Sequence, residues 1–354
     1  MDAKTTLAHY GTILPLNSSK ARIGIGLIGC GSIALESHIP AINQNTSASL
    51  LAATDVDPSR ARAARDKAGS IQVYEDYKHL LKNLDIDAVD ICTPTKYHCE
   101  ITVAAANSGK HVLCEKPIAL TLEEADRMIT ACAENDVKLM IAHSRRFIPR
   151  YSTVKRIIKE GKIGKPISAL QISRRPAAEP GSWYFDPSMT YGPIAEVGIH
   201  DADLLRWFFD DNVIEVFGTA RTRVPTLPLY DQVFASLKFK KGAVGSFEVG
   251  YVLPKGYAQY TTLEVMGSQG FISGSDDHMN VVVKGAESGV TYPSAYSDLL
   301  TVNSAYEDEV GAFVDSIMND KAPPVTGKEA RAALEIILAT LKSIERHEPV
   351  TLPL

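Results

Sequence analysis

The segment IGIGLIGCGSIA, residues 23–34, decides the fold, because a strongly apolar run leads directly into a glycine turn. In such a turn Gly29 permits a tight change of direction, Gly31 lets the backbone approach a ligand, and the small Ala34 lets helix and strand pack closely. Free N–H groups at the start of a helix favour anions. The pattern therefore predicts a pyrophosphate site, with an ordinary glycine-rich connection as the alternative. The predicted contacts are Gly29, Gly31, Ser32 and Ile33.

The chain from residue 22 to about residue 142 alternates short apolar runs with amphipathic segments. The predicted strands are IGIGLIG, SLLAATD, AVDIC, HVLCE and KLMIA. The predicted helices are ALESHIPAINQ, PSRARAARDKA, YEDYKHLLKN, YHCEITVAAANSG and TLEEADRMITACAEN. Apolar strands alternating with helices indicate a parallel sheet covered on both faces. We therefore predict a doubly wound, dinucleotide-binding Rossmann domain at residues 22–146, preceded by an N-terminal arm at residues 1–21.

Residues 147–354 follow a different pattern. In QVFASLKFKKGAVGSFEVGYV, apolar residues alternate with polar ones, and Lys241-Gly242 supplies a hairpin turn. Period-two alternation is typical of an antiparallel sheet, so we predict a second, α+β domain for substrate binding and oligomerisation. Some strands are apolar on both faces, with Phe234 and Phe247 beside Val233, Leu237 and Val249. An apolar sheet face left uncovered is usually an interface, which predicts a homodimer or homotetramer.

Composition excludes several classes of protein. The 354 residues carry a net charge of -5, which argues against nucleic-acid binding. No apolar run approaches the ~18 residues of a membrane span, and the first twenty residues do not resemble a secretory signal. The five cysteines include no Cys-x-x-Cys pair. We therefore expect a cytoplasmic protein with reduced cysteines and no metal site.

Polar residues follow three of the predicted strands. Thr93-Pro94 follows the strand AVDIC and Glu115-Lys116-Pro117 the strand HVLCE, so both reach the rim across which a dinucleotide lies. An ammonium group there can stabilise the alkoxide that develops as hydride leaves. The alternative for Lys116 is a surface salt bridge with Glu115. Asp55 ends the second strand, where a carboxylate binds the adenosine ribose and disfavours NADP, or else caps the next helix. Arg60 and Arg62 could reach back toward a 2′-phosphate, but we expect NAD.

The segment GPIAEVGIHDADLLRWFF, residues 192–209, supplies the facing side of the predicted site. As a helix it places Glu196, His200 and Asp203 on one face. A histidine can accept a hydroxyl proton, and a carboxylate one turn away can orient it and raise its pKa. A purely structural histidine is the alternative.

These motifs together resemble the Gfo/Idh/MocA family, the oxidoreductases similar to glucose–fructose oxidoreductase and inositol dehydrogenase. The resemblance rests on GCGSIA, TPTKYH, CEKP and GPIAEVGIHDADLLRW, which occur in the family's order, and it covers nearly everything after the arm. It implies an NAD(P)-binding Rossmann domain and a C-terminal domain with a large, open, mainly antiparallel sheet through which subunits associate. It also implies that Lys116 lies near the reacting carbon, that Lys116–Pro117 is often cis, and that His200 transfers the proton.

Some residues depart from the family's pattern or extend it. Glu196 stands where aspartate is usual, and Thr95 where asparagine is common. The resemblance adds Trp183 as a pocket wall and Arg146 as a substrate contact, with a salt bridge as the equal alternative for Arg146. We interpret His38 as helix packing and His98 as loop support near the nicotinamide. The predicted cofactor contacts are Gly29, Gly31, Ser32, Ile33, Asp55, Thr93, Pro94, Thr95, His98, Glu115 and Lys116. The predicted substrate contacts are Lys116, Arg146, Trp183, Glu196 and His200.

The leading functional hypothesis is an NAD-dependent dehydrogenase that oxidises a secondary hydroxyl of a sugar, inositol or related polyol. In it His200 accepts the proton, Lys116 stabilises the alkoxide and Glu196 positions His200 or contacts substrate. A glycoside hydrolase that uses NAD in a transient oxidation is a second hypothesis. A non-catalytic sensor that binds dinucleotide is a third, although Lys116 and His200 argue against it.

Overall fold

The computed structural model describes residues 22–177, 185–223, 228–275, 279–283, 290–292 and 298–354. The predicted N-terminal arm and Trp183 lie outside these residues. Within the described part of the chain, no helix is both long and apolar enough to cross a membrane.

The first sheet has six parallel strands in the order β3-β2-β1-β4-β5-β6. The strands are β1 (Ile23–Ile28), β2 (Ala48–Thr54), β3 (Gln72–Tyr74), β4 (Ala88–Ile91), β5 (His111–Glu115) and β6 (Leu139–Ala142). The helices between them are α1 (Ile39–Gln44), α2 (Pro58–Ala68), α3 (Tyr77–Leu80), α4 (His98–Asn107) and α5 (Leu122–Glu134). The predicted doubly wound sheet is therefore confirmed. Strand order reverses between β1 and β4, and in such sheets ligands bind at this switch point.

The second sheet has nine strands in the order β14-β13-β12-β11-β7-β10-β9-β8-β15. The strands are β7 (Pro166–Pro176), β8 (Val213–Arg221), β9 (Gln232–Phe239), β10 (Val244–Leu253), β11 (Tyr260–Gly267), β12 (Gly270–Ser275), β13 (Met279–Val283), β14 (Val290–Tyr292) and β15 (Val350–Thr351). All neighbouring pairs are antiparallel except β7 and β10. The predicted mainly antiparallel sheet is confirmed.

Helices cover one face of the second sheet. They are α6 (Pro149–Lys159), α7 (Ile199–Phe209) and α9 (Gly327–Arg346). Helix α8 (Asp298–Met318) precedes α9 in the chain. A Cβ added at Gly218 would meet Thr340 of α9, and one added at Gly245 would lie near Leu205 of α7. Val233 and Leu237 face these helices and are buried, whereas Phe234 is exposed on the outer face. Phe247, which we expected to contribute to a second apolar face, is fully buried on the helix side, because it is paired in register with the inward-facing Ala235.

The end of the chain returns to the first sheet. The Val325 carbonyl accepts a hydrogen bond of 3.2 Å from the Ile141 N–H, beside an antiparallel bridge between Met140 and Thr326. The Arg331 guanidinium of α9 binds Asp126 of α5 at 2.6 Å and 3.0 Å. These contacts hold the two sheets together, so that the amino-terminal end of α7 faces the carboxyl ends of β4 and β5 across one cavity.

Candidate active site

A cavity of about 680 Å³ lies at the switch point of the first sheet, a size typical of small-molecule sites. Its walls combine the glycine turn, the loops after β2, β4 and β5, the turn before α7, and single residues of β7, β10 and α8. Of the predicted site residues, those that line it are Gly29, Gly31, Ser32, Ile33, Asp55, Thr93, Pro94, Thr95, Glu115, Lys116, Glu196 and His200. The structure therefore brings together residues from distant parts of the chain.

The nucleotide end of the cavity is formed by the glycine turn. Gly29 has φ +91°, and a Cβ there would lie 2.7–2.8 Å from the backbone of Cys92 and Thr93, so only glycine fits. A Cβ at Gly31 would meet nothing within 4 Å, because this residue borders open space. A cradle of exposed backbone at the start of a helix fits a pyrophosphate.

Asp55 is held at the edge of this cradle by two backbone hydrogen bonds. Its Oδ2 accepts from the Cys30 N–H at 2.7 Å, and its Oδ1 accepts from the Asp57 N–H at 2.8 Å. The residue that caps α2 is Asp57, whose side chain accepts from Ser59 N–H. The alternative that Asp55 caps this helix is therefore wrong, and its carboxylate lines the cavity.

His98 joins the loops that follow β4 and β5. Its ring nitrogens lie 2.8 Å from the Thr93 carbonyl and 2.8 Å from the Pro117 carbonyl, and the side chain is buried. Burial lowers the pKa of His98. His98 does not line the cavity, which corrects its place among the predicted cofactor contacts. Its interpretation as loop support agrees with this geometry.

Lys116 reaches across the cavity to the turn that precedes α7. Its Nζ donates to Glu196 Oε2 and to the Glu196 carbonyl, each at 3.1 Å, while the Thr190 hydroxyl donates to Glu196 Oε1 at 2.7 Å. The alternative of a surface salt bridge with Glu115 is wrong, because the pairing is with a buried carboxylate on the opposite wall. The peptide bond between Lys116 and Pro117 is cis, as the resemblance implied.

Glu115 belongs instead to a buried charged cluster behind the rim. His38 lies between two carboxylates, with Nδ1 2.8 Å from Asp90 Oδ2 and Nε2 3.1 Å from Glu115 Oε1. Burial opposes protonation of His38, but Asp90 and Cys92 together outweigh it, and the pKa of His38 stands well above its ordinary value. Glu115 Oε2 also accepts from the Lys116 N–H at 3.0 Å. The interpretation of His38 as helix packing agrees with its burial and its ring contact with Tyr306, but it missed the charge pairing at the strand end that carries Lys116.

His200 lies deeper in the cavity and is uncharged. It is buried, and its Nδ1 has no hydrogen-bond partner among the residues that the structure describes. Burial, followed by the charges of Arg145 and Lys116, lowers the pKa of His200 well below 6.5. We expected Glu196 to orient this ring and raise its pKa, which is wrong in both respects because Glu196 pairs with Lys116. A wider, π-helical turn at Ile194–Gly198 separates Glu196 from the regular α7.

Arg146 does not line the cavity. Its Nε and one terminal nitrogen bind the two oxygens of Asp203 at 2.7 Å and 2.6 Å, and its other terminal nitrogen binds Glu329 at 3.1 Å. The substrate contact predicted for Arg146 is therefore wrong, and its salt-bridge alternative is observed. Asp203 is likewise committed to this bridge rather than to His200.

The sequence did not identify several residues of this site. Arg175 of β7, Tyr251 of β10 and Tyr306 of α8 line the cavity, and Thr190 fixes Glu196. The adjacent Arg174-Arg175 pair was a signal, because successive strand residues face opposite ways and one of the two must face inward. Tyr306 lies on a helix far along the chain, and its sequence context gives no such signal.

A parallel sheet whose glycine turn shares one cavity with a lysine and a neutral histidine is the arrangement of a nucleotide-dependent oxidoreductase. The family described as "Oxidoreductase family, NAD-binding Rossmann fold" matches residues 23–143, and the GFO/IDH/MocA C-terminal domain matches residues 151–273. The chain belongs to the Gfo/Idh/MocA family of oxidoreductases. It is accordingly an NAD(P)-dependent oxidoreductase that acts on CH–OH groups.

Similar proteins agree over nearly the whole chain. The myo-inositol 2-dehydrogenase of Thermotoga maritima is 32% identical over 93% of this chain and 98% of its own. The scyllo-inositol 2-dehydrogenase (NAD(+)) of Bacillus subtilis is 31% identical over 84% of this chain and 87% of its own. The crystal structure of a probable dehydrogenase from Thermotoga maritima has a TM-score of 0.81 at 30% identity, covering 93% of this chain and 98% of that one.

Proposed function

We propose that the protein is an NAD(H)-dependent dehydrogenase that oxidises a secondary hydroxyl of a sugar, inositol or related polyol. The observation that carries the proposal is the placement of the Lys116 ammonium and the neutral His200 in the cavity that begins at the glycine turn. The names of the inositol dehydrogenases to which the chain is similar support this substrate class.

The chain's own residues supply the proton transfer and the charge stabilisation. NAD held at the glycine turn would supply the hydride acceptor. His200 accepts the hydroxyl proton, for which its depressed pKa keeps it neutral and ready near pH 7. Lys116 donates a hydrogen bond to the same oxygen and stabilises its developing negative charge. Glu196, fixed by Thr190, holds the ammonium in place before substrate binds.

We further propose that NAD is preferred over NADP. Asp55 places a carboxylate at the edge of the cradle, where it favours the ribose hydroxyls and repels a 2′-phosphate. Arg60 of α2 also lines the cavity, but it is largely exposed and lies 3.7 Å from Asp57. An exposed guanidinium beside a carboxylate attracts a phosphate less strongly than a free one.

The outer face of the second sheet supports a homodimer or homotetramer. Apolar side chains exposed on it include Phe217, Phe234, Val244 and Met266. Exposed apolar side chains grouped on one sheet face are typical of an interface. Light scattering at micromolar concentration tests the proposal. A monomeric mass for the wild type would reject it, and Phe234→Glu should dissociate an oligomer that uses this face.

We place the enzyme in a reducing compartment, the cytoplasm. All five cysteines are free and buried, which suits thiols that are kept reduced. Retention of activity and oligomeric mass in excess dithiothreitol is expected, and loss of either would oppose the proposal.

The experiment that tests the function is oxidation of a panel of polyols with NAD, followed by the absorbance of NADH. The panel contains myo-inositol, scyllo-inositol, D-glucose, D-galactose and D-glucuronate. Net formation of NADH that depends on His200 is expected. Cleavage of an aryl glycoside without net NADH would instead indicate the NAD-dependent glycoside hydrolase. NAD binding with no turnover of any panel member or glycoside would indicate the sensor.

A further inference from the structure

One arginine on the inner face of β7 lies at the substrate end of the cavity. Gln171, Ser173 and Arg175 alternate along this face, and the Ser173 hydroxyl donates to Asp201 Oδ1 of α7 at 3.0 Å. Arg174 lies on the opposite face, where it binds Glu248 at 2.7 Å and 2.6 Å. Arg175 therefore continues the inward row past α7, and it lines the same cavity as Lys116, Glu196 and His200.

Arg175 brings into the cavity a positive charge that no described carboxylate contacts directly. Its side chain forms no hydrogen bond or ion pair with the residues that the structure describes, although its charge favours the ionised form of Asp201. The other charges at this end are paired, Lys116 with Glu196 and Arg145 with Asp201. Arg175 also lowers the pKa of His200, after burial and the charges of Arg145, Lys116 and His143, in agreement with its place in the same cavity.

Arg175 and the nucleotide cradle belong to different sheets. Its register partner on β10 is Tyr251, which also lines the cavity. The pyrophosphate cradle, in contrast, lies at Gly29–Ser32 on the first sheet. A guanidinium group has a planar fork of donors that matches a carboxylate or phosphate, and a partly buried one without a partner carries a desolvation cost that such an anion removes.

We propose that the substrate carries an anionic group, a carboxylate or a phosphate, that binds Arg175 while the reacting hydroxyl lies at Lys116 and His200. The substrate class then narrows to sugar acids or phosphorylated sugars and polyols. This inference rests on the proposed function, since it assigns the substrate of that same site. It sets this chain apart from a dehydrogenase built for a neutral polyol.

The test compares sugars that differ in one group. D-Glucuronate and D-glucose 6-phosphate each differ from D-glucose only at C6, and D-galacturonate and D-galactose 6-phosphate differ from D-galactose in the same way. Affinities for the enzyme–NADH complex are measured by calorimetry, and kcat/KM for oxidation is measured with NAD. The variant is Arg175→Gln, and the matched control is Arg156→Gln, which removes an exposed arginine on α6.

In the wild type we expect at least one anionic sugar to bind about tenfold to a hundredfold more tightly than its neutral partner. Arg175→Gln should abolish this difference, change affinity for the neutral sugar less than about threefold, and leave NADH binding intact. Arg156→Gln should preserve the difference. The carboxylate and phosphate pairs show which anion is selected.

Two outcomes overturn the inference. One is that no anionic sugar binds more tightly than its neutral partner, and the other is that the preference survives in Arg175→Gln. Oxidation of neutral sugars alone would leave the proposed function standing and the inference refuted. Anion binding that depends on Arg175 without any oxidation would leave the inference standing and the proposed dehydrogenase activity refuted.

Discussion

Replacing Lys116 with methionine separates a catalytic lysine from one that only neutralises a buried acid. In the wild type the Lys116 Nζ lies 3.1 Å from Glu196 Oε2, and the Glu196 side chain is 3% exposed. Lys116→Met keeps a side chain of similar length but leaves that carboxylate with the Thr190 hydroxyl and without its cation. The double variant Lys116→Met/Glu196→Gln removes both charges, and its amide can still bond to Thr190.

The two effects have different expected sizes. Removing one partner of a fully buried ion pair costs about 3–5 kcal/mol, and because Lys116 is 16% exposed we expect about 2–3 kcal/mol, or a fall in Tm of roughly 5 °C. Removing a donor that faces a developing oxyanion costs about 10²–10³ in kcat. Stability should therefore largely return in the double variant, whereas turnover should not.

Thermal unfolding and steady-state oxidation of the best panel substrate measure the two quantities on the same preparations. Glu196→Gln alone is the control, since it keeps the ammonium and should lose less turnover than Lys116→Met. Recovery of wild-type kcat in the double variant would refute the reasoning, because Lys116 would then serve only to neutralise Glu196. Wild-type kcat in Lys116→Met would refute it directly.

Three further predictions follow from the same geometry. His200→Gln should lower kcat about 10²–10⁴-fold with unchanged NADH affinity. In the wild type, kcat/KM should stay level as the pH falls to 6.5, since burial and then Arg145 depress the pKa of His200; a decline in kcat/KM centred at or above pH 6.5 would contradict this. NAD should be favoured over NADP by at least about tenfold in kcat/KM, and Asp55→Asn should narrow the ratio; equal efficiency in the wild type would reject the role of Asp55. Arg146→Leu should lower the free energy of unfolding, measured in urea, by about 3–5 kcal/mol yet leave KM within about twofold. Arg146→Leu/Asp203→Leu should recover part of the lost stability, and a large rise in KM would restore Arg146 to the substrate site.

The first sheet was predictable because most of its strands are continuous apolar runs, and such a run can be recognised from the local sequence alone. The missed strand, β3, has three residues, none of them fully buried, so it carries no such pattern. The glycine turn was predictable for a related reason, since its requirement for glycine is local. Phe247 was misjudged because the face of a strand residue depends on register, which the hairpin sets.

The partners of charged side chains could not be predicted in the same way. The carboxylate that binds Lys116 is 80 residues away, whereas the neighbouring Glu115 pairs with His38, 77 residues away. The sign of the pKa shift of His200 follows from burial and from cations that only the folded chain brings near. Arg146 was expected in the cavity and Arg175 was not considered, because the direction of each side chain depends on tertiary structure. The division of the chain between residues 146 and 147 stays a prediction.

The returning segment at Val325 and Thr326 also protects the first sheet from unwanted pairing. β6 ends the sheet, and an open terminal strand offers unpaired N–H groups to which strands of other molecules add. Here the Val325 carbonyl occupies the Ile141 N–H. A chain that has emerged only as far as β14 would leave this strand bare. During synthesis, therefore, the nucleotide-binding half stays open to misassembly until nearly the last residues arrive, and a fragment cut after β14 should aggregate where the full chain does not.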